Sequence, residues 1–399
     1  MRDGQFFNME STMPIESSET GDSGKVEVHV LDAGHFTLDT AADRIAQLVG
    51  DFMNSERRYT VNSSSIVLGR IATGAAFLAV GALWAATALG ADTGDKSLAQ
   101  QIFEAMAQDP GTKPGYRVAH AKGIVCEGTF APSAGAAKLS KAAHFQRDSV
   151  PVTIRFSDGS ADPFVPDNSH DAGPRGMAVR FKLPGGGLTD VEGQAHNGFA
   201  VGTGEEFLAL LKAAHATDPS QPHPWPIEAF LAAHPRAMKF VQDNAVAPAS
   251  YGTAAYFSNN AFVFVNKDGV KQAGRYQFLP VAGRRDLSDD EAKAMSPNFL
   301  SEELRTRLAN GPVKFRLVVQ LANTGDPTND PSLVWPNDRR TVEMGTISVT
   351  SIVADSDAAQ KALVFFPTAL TDGIELSDDP LPALRTSAYA MSFARRQQP

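Results

Sequence analysis

The sequence predicts an α+β fold, an antiparallel sheet or barrel with helices packed outside it. Strand-like runs outnumber helical ones in residues 97–399. They also tend to follow one another without the helical crossovers that a parallel sheet requires. An apolar content of 43% with 20% charged residues in 399 residues provides enough core for one large or two ordinary domains.

Apolar residues recur at helical spacing over 98–107, 205–214, 226–243 and 289–308, and "LSDDE" introduces the last of these with acidic N-terminal residues. The strand candidates are "GIVCEGTF", "VTIRFSDG", "GMAVRFKL", "NAFVFVN", "KFRLVVQLA" and "GTISVTSIV", several of which alternate apolar with polar. A final helix is expected over 382–396. Residues 97–399 therefore read as one continuous domain.

Two segments precede it. Within 53–96, the uncharged stretch 71–91, "IATGAAFLAVGALWAATALGA", has the length of a bilayer-spanning helix. Arg57, Arg58 and Arg70 before it, with Asp92 and Asp95 after it, orient the following domain outward, to the periplasm. The stretch serves either as an inner-membrane anchor or as a cleaved signal, since Ala86-Thr87-Ala88 has the small-x-small cleavage form. Residues 1–52 include "VEVHVLDAGHFTLDTAADRIAQLVGDFM" (26–53), which resembles the last strand and helix of α/β-hydrolases, with His35 at the turn. Without a G-x-S-x-G elbow upstream, His35 has no triad to join, so no chemistry is expected from 1–52. A gene fusion or a start at Met53 would account for this segment.

A net charge of −9 and a pI near 5.5 argue against nucleic acid as a partner, because phosphate binding requires a basic face. Cys126 is the only cysteine, which excludes a disulfide framework and a thiolate zinc cluster. The spacing of chemistry-bearing residues is clearest at the C-terminus, in "LPALRTSAYAMSFARRQQP". In a helix Arg385 and Tyr389 lie at i and i+4, within reach of each other, and a permanent cation there favours the phenolate. Arg396 is rotated only about 20° from Tyr389, and Arg395 well away. One face then presents cation, phenolate and cation, which suits a ligand carrying an iron and a carboxylate. Tyrosinate is a known haem-iron ligand, and Cys126 is the rival one.

Four ordered segments resemble the haem catalases. "YRVAHAKGIVCEGTF" is similar to the catalase segment "RVVHAKG", and 152–181 to the pattern "VRFS…D.RG.A.KF". "RTSAY" has the R-x-x-x-Y form of the proximal ligand helix, and "PSLVWPNDRRTVEMGTISV" matches in kind. The full-length catalases' C-terminal helical domain and long N-terminal arm have no counterpart, so the nearer likeness is to the shorter, often exported catalase-related peroxidases.

The resemblance implies a catalase-like barrel binding haem b, with Tyr389 as axial ligand beside Arg385. It implies that His120 is the distal acid-base and that Ser157 fixes its tautomer. By the same likeness Arg117, Arg155 and Arg396 neutralise the haem propionates, and Phe207 stacks on the porphyrin. Gln194 stands where the family has an asparagine, which makes catalase activity weak and favours peroxide reduction by an organic electron donor. The rival functions are a fatty-acid hydroperoxide isomerase or dehydratase on the same scaffold and a non-enzymatic, exported haem-binding protein. Arg155 and Ser157, at i and i+2, share a strand face. Arg117 and His120 would not, so a bulge or coil is expected between them.

Overall fold

The computed structural model describes residues 96–398 apart from Arg147 and Ala245. The segments assigned to 1–52 and, but for Lys96, to 53–96 lie outside the described residues, and so do the membrane stretch 71–91 and His35. Among the described residues no helix is long and apolar enough to cross a membrane.

The strands are β1 Gly123–Pro132, β2 Val150–Ser157, β3 Gly176–Lys182, β4 Leu188–Gln194, β5 Tyr256–Phe257, β6 Phe262–Val265, β7 Lys271–Pro280, β8 Val313–Leu321, β9 Thr341–Ile352 and β10 Ile374–Leu376. The order β7-β5-β4-β3-β2-β1-β9-β8, closed by β8 on β7, makes an eight-stranded antiparallel barrel. β6 and β10 extend it beside β7. Closure leaves these eight strands little free edge, and the expected barrel with helices packed outside it is what the chain forms.

Period-two alternation decides which side chains enter the barrel. On β2, Val152, Ile154 and Phe156 point into a core that also holds Phe130, Phe181, Phe278 and Phe315. Arg155 and Ser157 therefore point outward. On β3, Met177, Val179 and Phe181 point in, leaving Gly176 and Ala178 on the outer face. The barrel interior is a packed aromatic core, so a ligand site has to lie outside it.

The helices are α1 Leu98–Ala107, α2 Ala136–Leu139, α3 Gly204–His215, α4 Pro226–Ala233, α5 Pro235–Asn244, α6 Asp289–Lys293, α7 Phe299–Ala309, α8 Ser356–Ala362 and α9 Leu381–Gln397. Two expectations need correction. The helix expected over 226–243 is split into α4 and α5, because Pro235 lacks an N–H and bars its predecessor His234 from helical geometry. Pro297 likewise separates α6 from α7 within 289–308. Apolar side chains of α1, α3 and α9 pack together: Ile102, Ala105 and Leu208 are buried among Leu98, Met106, Phe207, Leu211 and Leu384. Gly204 lets the helices approach closely here, since a Cβ would require the Leu384 side chain to shift.

Candidate active site

A cavity of about 750 Å³ lies against the outer face of β2, β3 and β4, and α1, α3 and α9 contribute to its lining. All nine residues singled out in the sequence line it: Arg117, His120, Arg155, Ser157, Gln194, Phe207, Arg385, Tyr389 and Arg396. Cys126 is absent from the lining. It is fully buried among core residues, and burial pushes its thiol up to about 12, so it is no thiolate donor.

Two rungs of strand pairing form the floor. Ser157, Gly176 and Gln194 align across β2, β3 and β4, as do Arg155, Ala178 and Glu192. Small residues at the middle of each rung leave room between the functional side chains on either side. At Gly176 that room is indispensable, because a Cβ would lie 2.8 Å from Ser157 Oγ and 3.0 Å from the His120 ring. Sequence reasoning missed Gly176, Ala178 and Glu192, whose significance depends on register between strands.

His120 sits in the coil ahead of β1, in the break expected between it and Arg117. Its φ of 51° is the only positive value at a non-glycine residue among the described residues. Left-handed backbone at such a residue is costly and persists where several contacts impose it. Here the His120 N–H donates to the Gly159 carbonyl at 3.1 Å, and its carbonyl accepts from Arg155 Nη2 at 2.7 Å. Its Nδ1 lies 3.1 Å from Ser157 Oγ. Burial first, then the cations Arg155 and Arg385, push the imidazole down to about 4, so it is neutral at pH 7.

Tyr389 and Arg385 are one turn apart on α9, and the guanidinium donates to the phenol oxygen from Nε at 3.1 Å and Nη2 at 2.9 Å. Burial opposes the charge on Arg385. Tyr389 and Glu192 outweigh that penalty, so Arg385 holds its proton more tightly than a free arginine.

Three other guanidinium groups gather at the C-terminal end of α8. Arg117 donates to the carbonyls of Gln360 at 2.9 Å and Leu363 at 2.6 Å. Arg396 donates to Lys361 O at 3.0 Å and to Leu363 O. Arg155 reaches Gln360 Oε1 at 2.9 Å. Unfilled carbonyls at a helix end suit cations. Yet none of the three arginines forms an ion pair with a carboxylate among the described residues, although Arg155 and Arg396 are only 5% and 2% exposed. Burial, then the neighbouring Arg117, pushes Arg396 down to about 8, and the same causes hold Arg155 below its usual range. The missing charge is negative, and an anionic ligand in the cavity would supply it.

The sequence model of the catalase family matches residues 93–398. The chain belongs to the catalase family. It is 38% identical over 299 residues, covering 74% of its own length and 94% of the relative's, to a catalase-related peroxidase of Mycolicibacterium paratuberculosis. It is 32% identical to a catalase-related peroxidase of Synechococcus elongatus, over 74% of this chain and 88% of that one. The crystal structure of a fungal catalase shares the fold with a TM-score of 0.63 at 19% identity, over 72% of this chain and 60% of that one. Membership of the catalase family implies a haem cofactor. The residues present fit it: a phenol oxygen held by a cation, unneutralised arginines that suit carboxylates, and a floor kept open by Gly176 and Ala178.

Proposed function

We propose that the protein is a haem b peroxidase that reduces hydrogen peroxide or organic hydroperoxides with an organic electron donor. As a member of the catalase family it is an oxidoreductase acting on peroxide. The observation that carries the cofactor reading is the set of three arginines that line the same cavity as Tyr389 and pair with no carboxylate among the described residues. Tyr389 would hold the iron through its phenolate, with Arg385 keeping the oxygen deprotonated. Arg117, Arg155 and Arg396 would hold the two propionates, and Phe207 would pack on the ring. The single cysteine is buried away from the cavity, which speaks against a thioether-tethered haem and is compatible with haem b.

Bound haem supplies redox chemistry at iron, and the chain's own residues manage the proton. With Nδ1 donating to Ser157 Oγ, the neutral His120 leaves Nε2 free to accept a proton from the peroxide. The same nitrogen then returns it to the departing oxygen, which leaves as water from hydrogen peroxide or as an alcohol from an organic hydroperoxide. Gly176→Ala would wedge a methyl group between Ser157 and His120. It is expected to slow the reaction with peroxide about tenfold or more while haem still binds, measured by stopped-flow absorption.

The arginine cluster makes a separate prediction. Charge-assisted hydrogen bonds contribute roughly 1.5–3 kcal/mol each, so haem dimethyl ester should bind at least about tenfold more weakly than haem. Equal affinities in a titration of the apoprotein would remove the arginines from that role.

Gln194 Nε2 donates to the Gly198 carbonyl at 3.2 Å, leaving its second N–H for the cavity. Gln194→Asn is expected to shift turnover toward oxygen evolution from H₂O₂ and away from donor oxidation, read by comparing an oxygen electrode with a donor assay.

Turnover of H₂O₂ and an organic hydroperoxide, with and without an organic donor, tests the function. Donor-dependent reduction is expected. Donor-independent conversion of a lipid hydroperoxide would mean isomerisation instead, and turnover no faster than free haem would leave only a carrier. The proposal also places the haem domain in the periplasm, with 71–91 as anchor or cleaved signal, which fractionation of cells expressing the full chain checks.

A further inference from the structure

One charged side chain in the cavity has no part in the chemistry so far. Glu192 lies on β4 two residues before Gln194, and its side chain is only 12% exposed. Oε2 accepts from Arg385 Nη2 at 3.1 Å, the same nitrogen that donates to the Tyr389 oxygen at 2.9 Å. Oε1 is buried with no hydrogen-bond partner. A buried carboxylate with one unsatisfied oxygen destabilises a fold, so it calls for an explanation.

The neighbouring charges assign it a partner. Asp190, on the same face of β4, is engaged by Arg180 through bonds of 2.8 and 2.7 Å. Asp379 reaches Arg385 only indirectly, through Asn260, whose Nδ2 donates to Asp379 at 2.7 Å and whose Oδ1 accepts from Arg385 Nη1. Among the described residues Glu192 is thus the carboxylate in direct contact with Arg385. One guanidinium group stands between two oxygen acceptors, the phenol of Tyr389 and the carboxylate of Glu192.

We propose that Glu192 is a positioning residue that limits how strongly Arg385 draws charge from the Tyr389 oxygen, and thereby sets the electron donation of Tyr389 to bound iron. The proposal rests on Tyr389 being the iron ligand. Two anions compete for one cation. While Glu192 is charged, part of the field of Arg385 is neutralised and the phenolate keeps its electron density. Without that charge, Arg385 acts on the phenolate alone and makes it a poorer donor. The ferric state then loses some of its stabilisation relative to the ferrous state.

The test uses the full chain loaded with ferric haem, as wild type, Glu192→Gln and Glu192→Asp, at a pH well above the titration of the carboxyl. Resonance Raman reads the iron–phenolate stretch, and spectroelectrochemistry reads the ferric/ferrous midpoint. Glu192→Gln should lower the stretching frequency and raise the midpoint. Glu192→Asp, whose shorter arm weakens the contact without removing the charge, should move both the same way by less. Unchanged values in Glu192→Gln would overturn the proposal even if thermal stability or haem content fell, because those losses mark a purely structural role. If Glu192→Gln retains no haem, the Glu192→Asp shift decides, and its absence contradicts the proposal. A wild type without an iron–phenolate mode would instead refute the ligation on which the proposal rests, and a wild-type mode unmoved by substitution refutes the role of Glu192 alone.

Discussion

His120→Ala is expected to slow the reaction of the haem-loaded protein with peroxide by about 10² or more while haem content stays unchanged, the usual effect of removing a positioned proton-transfer group. Two backbone hydrogen bonds hold this residue in left-handed backbone, and Ser157 orients its ring. Among the nine residues singled out in the sequence, His120 alone has a near-neutral ordinary pKa. The pH profile provides a second check. Burial and nearby cations hold His120 down at about 4, and protonation would remove the base. The wild-type rate should therefore stay level from neutrality to about pH 5 and fall below that, a limb that His120→Ala should lack. Stopped-flow absorption measures both, and a full-speed His120→Ala protein would exclude the acid-base role even with haem bound.

Tyr389→Phe is expected to cost about 10²-fold or more in haem retention, because substitutions merely adjoining a metal ligand already cost 10- to 100-fold. Arg385 would lose the oxygen to which it donates at 3.1 and 2.9 Å, and its charge would be left facing the cavity. Arg117, Arg155 and Arg396, gathered at the C-terminal end of α8, would still hold the propionates, so weak haem binding with altered ligation is the expected remainder. Haem content after desalting, compared with wild type loaded in the same way, measures the effect. Retention equal to wild type would point to a different axial ligand.

Much of the site was legible in the sequence because it rests on short-range geometry. Arg385, Tyr389 and Arg396 share a helix stripe, and Arg155 and Ser157 share a strand face, whatever the rest of the chain does. The break between Arg117 and His120 was also legible, as a conflict between two residues that could not otherwise face one ligand. The left-handed turn that resolves it was not, since it depends on Gly159 and Arg155 arriving from elsewhere. Gly176, Ala178 and Glu192 escaped notice because their meaning lies in register across β2, β3 and β4, and "LTDVEGQ" is too polar to read as a strand. The carbonyls at the end of α8 carry no side-chain signal at all. Pro235 and Pro297 are visible in the sequence, and at both positions the helix-breaking effect of proline overrides helical periodicity.

The central claim is a haem held by Tyr389 in the cavity beside His120. The absorption spectrum of the purified full chain loaded with ferric haem tests it most directly. A Soret band with the charge-transfer pattern of five-coordinate, high-spin ferric iron bound to tyrosinate is the result expected. No Soret band after loading, or a spectrum of thiolate or bis-histidine ligation, would contradict it.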